Sequence, residues 1–166
     1  MMAPGRNGEI WSALPSRVNR NLSLQMNRIS EIIEEFQSVD DDFKLELLLD
    51  YADKLPPVPR NYSAIIDQEN NLVSECQTPV HLIVEYIDHQ VRIYADVPPE
   101  SPTVRGMVSI LIEAYNGATP EEVLAIPTNL LQKLGLAEKI GALRSRGIGA
   151  IIQRLKNEVR KVASVS

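Results

Sequence analysis

The hydrophobic residues of this chain change their spacing twice, and this order restricts the folds open to it. Before residue 80 and after residue 101 they recur every three or four positions, as on one face of an α-helix. Between these limits, residues 80–87 and 91–97 are rich in Val, Ile and Tyr and predict an antiparallel hairpin that turns at Asp88-His89-Gln90. The order indicates an α+β domain, a small antiparallel sheet covered by N-terminal and C-terminal helices.

Two helices are predicted before the strands. The first has a hydrophobic face formed by Ile29, Ile32, Ile33 and Phe36. The second begins at Asp40-Asp41-Asp42, whose carboxylates suit the positive end of a helix dipole, and ends at the prolines of residues 56–59. Its predicted inward stripe is Leu45, Leu48, Leu49 and Ala52.

Helix signals return after the strands. Ser101 is a predicted N-cap with Pro102 in the first helical position, and Thr119-Pro120-Glu121-Glu122 is a predicted capping box. The helix after Ser101 has a predicted inward stripe of Val104, Met107, Val108, Leu111 and Ala114 or Tyr115. Gly135 is expected to end the helix of residues 128–134. A last helix is predicted over residues 147–162, with an inward face of Ile148, Ile151, Ile152, Leu155 and Val159.

Charge divides the chain into two parts. Residues 1–28 hold four arginines against one glutamate, a net charge of +3, so the total of −5 leaves −8 for residues 29–166. The first part also contains prolines, glycines, serines and asparagines and lacks a sustained amphipathic helix, which favours a flexible basic tail over an organelle transit peptide. We therefore predict a tail at 1–28 and one domain at 29–166.

Several classes of protein are disfavoured by composition. The net charge of −5, without a basic stripe, argues against nucleic-acid binding. The sequence has no apolar run of about 18 residues, so no membrane span is expected. A single cysteine and no recognisable export signal favour the reducing cytoplasm.

Cys76 is the only cysteine, in a turn-like segment just before the first strand. It has no partner for a disulfide within one chain. A free cysteine is usually a buried, inert hydrophobic residue, and this structural interpretation stays open. Metal binding with His81 is disfavoured because only His89 remains as a further imidazole, and a hydrolase would need a histidine oriented by a third group.

Three stretches, in this order and spacing, resemble the SufE family of sulfur-acceptor proteins. They are the helix of residues 42–56 ending in Lys54-Leu55-Pro56, the segment Val73-Ser74-Glu75-Cys76-Gln77-Thr78-Pro79-Val80, and the C-terminal half from Ser101-Pro102-Thr103-Val104-Arg105-Gly106 to Leu143-Arg144-Ser145-Arg146-Gly147-Ile148. The resemblance covers most of the chain and omits the N-terminal tail. It implies a SufE/IscU-like fold with Cys76 on a loop at one end of the sheet.

The resemblance also implies a function. Cys76 would take persulfide sulfur from a pyridoxal-phosphate-dependent cysteine desulfurase (SufS-like), stimulate that enzyme, and pass the sulfur to an iron–sulfur scaffold (SufBCD-like). Pyridoxal phosphate, iron and the cluster would belong to the partners, so no cofactor or metal is expected here, and the chain would be a sulfur-transfer partner rather than a stand-alone enzyme. The alternative is a noncatalytic adaptor in which Cys76 is structural.

Other positions follow from the same resemblance. Arg144 matches an arginine at the start of the family's last helix, and Asp96 matches an acidic docking residue; with Gln77 they are expected to bind the partner or support the loop. Two positions depart from the family, because Glu75 replaces a common glycine and His81 replaces a common tryptophan. If position 75 required a positive φ, glutamate would cost about 1 to 2 kcal/mol there.

Overall fold

A computed structural model describes residues 28–165, so the predicted tail lies outside the described residues except for Arg28. Helix α1 covers residues 28–38. It is followed by a 3-10 turn (Asp41–Phe43), α2 (Lys44–Asp53), α3 (Arg60–Ser63), a second 3-10 turn (Glu69–Asn71), β1 (His81–Ile87), β2 (Gln90–Asp96), α4 (Pro102–Tyr115), α5 (Pro120–Leu124), α6 (Leu130–Lys133) and α7 (Ala137–Val165). This order of helices, strands and helices is the predicted α+β arrangement.

Strands β1 and β2 form the predicted antiparallel hairpin, with His81 opposite Asp96 and Ile87 opposite Gln90. The turn has two residues rather than the expected three, since Asp88 (φ 53°) and His89 (φ 63°) take the left-handed conformation that matches the strand twist. Leu72 forms a single antiparallel bridge to His81. One face of the hairpin enters the core through Leu82, Val84, Val91, Ile93 and Ala95.

Helices α4 and α7 supply most of the helical core, as their spacing predicted. Every predicted inward residue of α7 is buried, and so are those of α4: Val104, Met107, Val108, Leu111, Ala114 and Tyr115. Helix α7 extends further than expected, because it starts at Ala137 and is interrupted at Gly141, where φ is 85°. The stretch after Gly141 contains the predicted last helix, and Arg144 lies near its start.

The predicted inward stripe of α2 is partly wrong. Leu48 and Ala52 are buried, but Leu45 and Leu49 are 40% and 45% exposed. The buried positions are instead Lys44, whose ammonium donates to the carbonyl oxygen of Phe36 at 2.6 Å, and Tyr51. The long apolar stem of lysine can be buried when its ammonium finds acceptors. Helix α2 therefore buries Lys44, a residue that the pattern of hydrophobic residues does not predict to be buried.

The predicted side-chain capping is complete before α5 but not before α4. Pro102 occupies the first turn of α4 and Ser101 its N-cap position, but the Ser101 side chain does not cap the helix. Before α5 the full capping box is present: the Glu122 amide donates to the Thr119 hydroxyl at 3.3 Å, and the Thr119 amide donates to the Glu122 carboxylate at 3.0 Å.

Within residues 28–165, no helix is both long enough and apolar enough to cross a membrane.

Replacing Thr119 by Ala is expected to lower the free energy of unfolding by about 1 kcal/mol, because the first turn of α5 loses its acceptor. Urea denaturation followed by circular dichroism measures the loss. The matched control is Thr128→Ala, at an exposed turn position, which should change stability by less than about 0.5 kcal/mol. Equal effects of the two substitutions would contradict the contribution of the capping box.

Candidate functional site

A depression of about 610 Å³ opens where three segments of the chain meet. The cysteine loop contributes residues 76–79, the approach to α4 and its first turn contribute residues 100–104, and α7 contributes residues 140–144 and Gly147. These segments are distant in sequence, and the core packing of α4 and α7 brings them together. Cys76 therefore lies in the wall of a surface depression rather than on a protruding turn.

Cys76 rests directly on α7. A Cβ atom placed on Gly147 would lie 3.1 Å from the Cys76 Sγ, so the absence of a side chain at this position lets the thiol approach the helix backbone. The cysteine is half-buried and packs against the hydrophobic core. Its amide donates to the carbonyl oxygen of Val73 at 3.2 Å, which closes the turn that carries the thiol.

The cysteine loop is attached at both of its ends. Before the cysteine, the Arg154 side chain on α7 donates to the carbonyl oxygens of Leu72, at 2.8 Å, and Asn70. After the cysteine, the Thr78 hydroxyl lies 3.4 Å from the Ser101 hydroxyl at the start of α4. Cys76 and Gln77, which line the depression, lie between these attachments.

The structure brings together three of the four predicted site residues. Gln77 and Arg144 are exposed and line the same depression as Cys76. Asp96 is exposed at the end of β2, opposite His81, and does not line the depression. The geometry thus groups Arg144 and Gln77 with the thiol and leaves Asp96 on an adjoining surface.

Glu75 and His81, the two positions that depart from the family pattern, leave the backbone of this loop unstrained. Among the described residues other than glycine, only Asp88 and His89 have a positive φ, so Glu75 does not carry the conformational cost considered above. His81 begins β1 and is half-buried, and its Nδ1 has no hydrogen-bond partner in the described part of the chain. In residues 28–165 no three His, Cys, Asp or Glu side chains are grouped as metal ligands would be.

Sequence reasoning missed two residues of this site. It treated Gly147 only as the start of a helix, although this residue supports the thiol, and it did not single out Arg154. It also did not anticipate that Leu143, at the rim of the depression, is 55% exposed. A glycine inside an amphipathic helix is the signal that was available, since such a residue often marks a close approach of another segment.

Replacing Gly147 by Ala should push the thiol away from α7 and raise the rate of Cys76 alkylation by iodoacetamide several-fold. Overpacking also costs about 1 kcal/mol or more, which opposes the gain that alanine brings to a helix. Gly149→Ala is the control, because a Cβ there would meet no atom of another segment within 4 Å. If both variants are alkylated at the wild-type rate, Gly147 does not set the position of the thiol.

Comparison with known proteins identifies a family. Residues 30–159 match the family described as SufE, an Fe–S metabolism associated domain. The chain is similar to an uncharacterised SufE-like protein of Mycobacterium tuberculosis, 36% identical over 134 residues that cover 80% of this chain and 92% of the relative. It is also similar to an uncharacterised SufE-like protein of Synechocystis, 28% identical over 145 residues and 87% of either chain.

The fold has a counterpart among solved structures. A hypothetical protein from Thermus thermophilus, whose structure was determined in solution, superposes with a TM-score of 0.72 at 35% sequence identity. The match covers 82% of this chain and 96% of that protein.

Proposed function

This chain belongs to the SufE family, which is associated with iron–sulfur metabolism, and we propose that it accepts persulfide sulfur on Cys76 from a pyridoxal-phosphate-dependent cysteine desulfurase. The observation that carries the proposal is the position of Cys76, half-buried in the wall of a depression and held there by Gly147 and the attached loop. A partner's persulfide can reach a thiol that borders an open depression, whereas it cannot reach a fully enclosed thiol.

The transfer is a thiol exchange in which atoms and electrons balance. The Cys76 thiolate attacks the terminal sulfur of the enzyme persulfide, a sulfur–sulfur bond to Cys76 forms, and the bond to the desulfurase cysteine breaks. The desulfurase thiolate leaves and takes up a proton, and Cys76 has given up one, so no external oxidant or reductant is required. Pyridoxal phosphate acts before this step, on the desulfurase.

The depression suits the product of that exchange. A sulfur–sulfur bond is about 2.05 Å long, so a persulfide extends the side chain by one atom into a space of about 610 Å³. A persulfide exposed on a free loop would meet cellular thiols and oxidants. A partly sheltered thiol that a partner can still reach therefore fits a carrier.

Arg144 and Gln77 are the neighbours we propose to act in partner binding or in support of the loop. Both are exposed on the same depression as Cys76, so a desulfurase that delivers sulfur there would meet them. A guanidinium forms bidentate pairs with a carboxylate and also favours a nearby thiolate. Asp96, on the adjoining surface, is proposed as a docking contact outside the depression.

The remaining parts of the proposal concern the partners and the compartment. We propose a SufS-like desulfurase, which this chain also stimulates, and a SufBCD-like scaffold that receives the sulfur for cluster assembly. We place the exchange in the cytoplasm, where thiols are kept reduced. We also propose residues 29–166 as the working domain, and the family match over residues 30–159 supports it.

The first test is the sulfur adduct itself. Incubation of the full chain with a purified SufS-like desulfurase, cysteine and no strong reductant should add one sulfur atom to the protein, detected by mass spectrometry, because Cys76 is its only thiol. Cys76→Ser should gain none. If the wild type gains no sulfur from any desulfurase of its organism, or if the serine variant gains it, the chain is instead an adaptor with a structural cysteine.

Replacing Arg144 by Ala should slow persulfide formation or weaken desulfurase binding by about tenfold, equivalent to about 1.4 kcal/mol. Stability should change by less than about 0.5 kcal/mol, since Arg144 is exposed and lies outside the inward face of α7. Arg146→Ala, an exposed position beside the depression lining, is the matched control. Single-turnover transfer and a binding titration measure the effect, and equal rates for the two variants would contradict the proposed role of Arg144.

A further inference from the structure

One side chain of α7 fastens the segment that leads into the cysteine loop. The Arg154 guanidinium donates through Nη1 to the carbonyl oxygen of Leu72 at 2.8 Å and through Nη2 to the carbonyl oxygen of Asn70. Its Nε donates to a carboxylate oxygen of Glu158 at 2.9 Å. The side chain is 22% exposed, so these charge-assisted bonds form where water competes only partly.

The same helix face holds the thiol and the segment before it. Gly147 and Arg154 are seven residues apart, which is close to two helical turns and places them on one side of α7. Gly147 lies against the Cys76 thiol, while Arg154 holds residues 70–72. The helix therefore contacts the loop at two points on one stripe.

A short chain of backbone hydrogen bonds connects these two points. The Val73 amide, next to Leu72, donates to the carbonyl oxygen of Val80 at 2.9 Å, and the Val73 carbonyl accepts the Cys76 amide at 3.2 Å. A shift of Leu72 would move Val73 and with it the turn that carries the thiol. The contact of Arg154 with Leu72 therefore affects the position of Cys76 through one intervening residue, Val73.

We propose that Arg154 is a positioning residue for the acceptor thiol: by binding two backbone carbonyls it holds the loop so that Cys76 rests against Gly147 in the depression. The purpose of this contact in sulfur transfer rests on the function proposed above. The effect of Arg154 on the position of the thiol, however, can be measured without any desulfurase. The planar guanidinium suits this task because it serves two carbonyls and a carboxylate at once, whereas an ammonium donates from a single point.

The test is the rate at which iodoacetamide alkylates Cys76 in the full chain, which has no other thiol. Arg154→Met should raise this rate by about tenfold, equivalent to about 1.4 kcal/mol, and Arg154→Lys should give a smaller rise. Arg160→Met is the matched control. Arg160 is an exposed arginine of the same helix that donates to the side chain of Asn157 at 2.8 Å, and its loss should leave the rate within about twofold of the wild type.

Low concentrations of urea separate a released loop from a weakened fold. Alkylation through local opening is nearly independent of urea, while alkylation through global unfolding rises steeply because far more surface is exposed. We expect a fast, urea-independent rate for Arg154→Met. If that variant does not fold, Arg154→Lys and Glu158→Gln, which loosens the guanidinium but leaves it in place, provide the same comparison.

Three outcomes would overturn the proposal. The alkylation rate of Arg154→Met could equal that of the wild type, its rise could be shared by Arg160→Met, or its rise could grow with urea as global unfolding does. Failure of the proposed function would give a different experimental result. In that case wild-type Cys76 acquires no sulfur from a desulfurase, whatever the alkylation rates of the variants are.

Discussion

The site depends on the close contact between the cysteine loop and the backbone of α7. This helix is a core element, since Ile148, Ile151 and Leu155 are each at most 1% exposed. The same helix supports the thiol at Gly147, where any larger residue would press on sulfur. Because the inner face of α7 is fixed by core packing, the depth at which Cys76 lies is fixed by the fold and not by the loop alone.

This arrangement would meet the conflicting requirements of the sulfur carrier that we propose. A free thiol is mostly protonated at neutral pH and reacts slowly, and a fully exposed persulfide is soon lost to other thiols or oxidants. A half-buried cysteine beside a depression is protected on the side of the helix and open on the other. A partner that covers the depression would exclude water during the exchange, which strengthens electrostatic contacts with a group such as Arg144.

The sequence was informative where local periodicity decides the structure. It predicted the hairpin, the capping box at Thr119 and the inward faces of α4 and α7, because each depends on residues that are near in sequence. It was wrong about Leu45 and Leu49, since burial of Lys44 depends on the carbonyl of Phe36 in another helix. The positions of Gly147 and Arg154 beside the loop were also out of reach, because contacts such as Arg154 to Leu72 join residues 82 positions apart.

Two arginines of α7 lie in different parts of the site, so their side chains can serve different roles. Arg144 is exposed at the depression, next to the 55% exposed side chain of Leu143. Arg154 is largely covered and is committed to backbone carbonyls and to Glu158. Under the proposed function, a change at Arg144 would act on the encounter with a partner, whereas a change at Arg154 would act on the thiol before any partner arrives. In the sulfur transfer that we propose, this one helix would both bind the partner and position the reactive thiol.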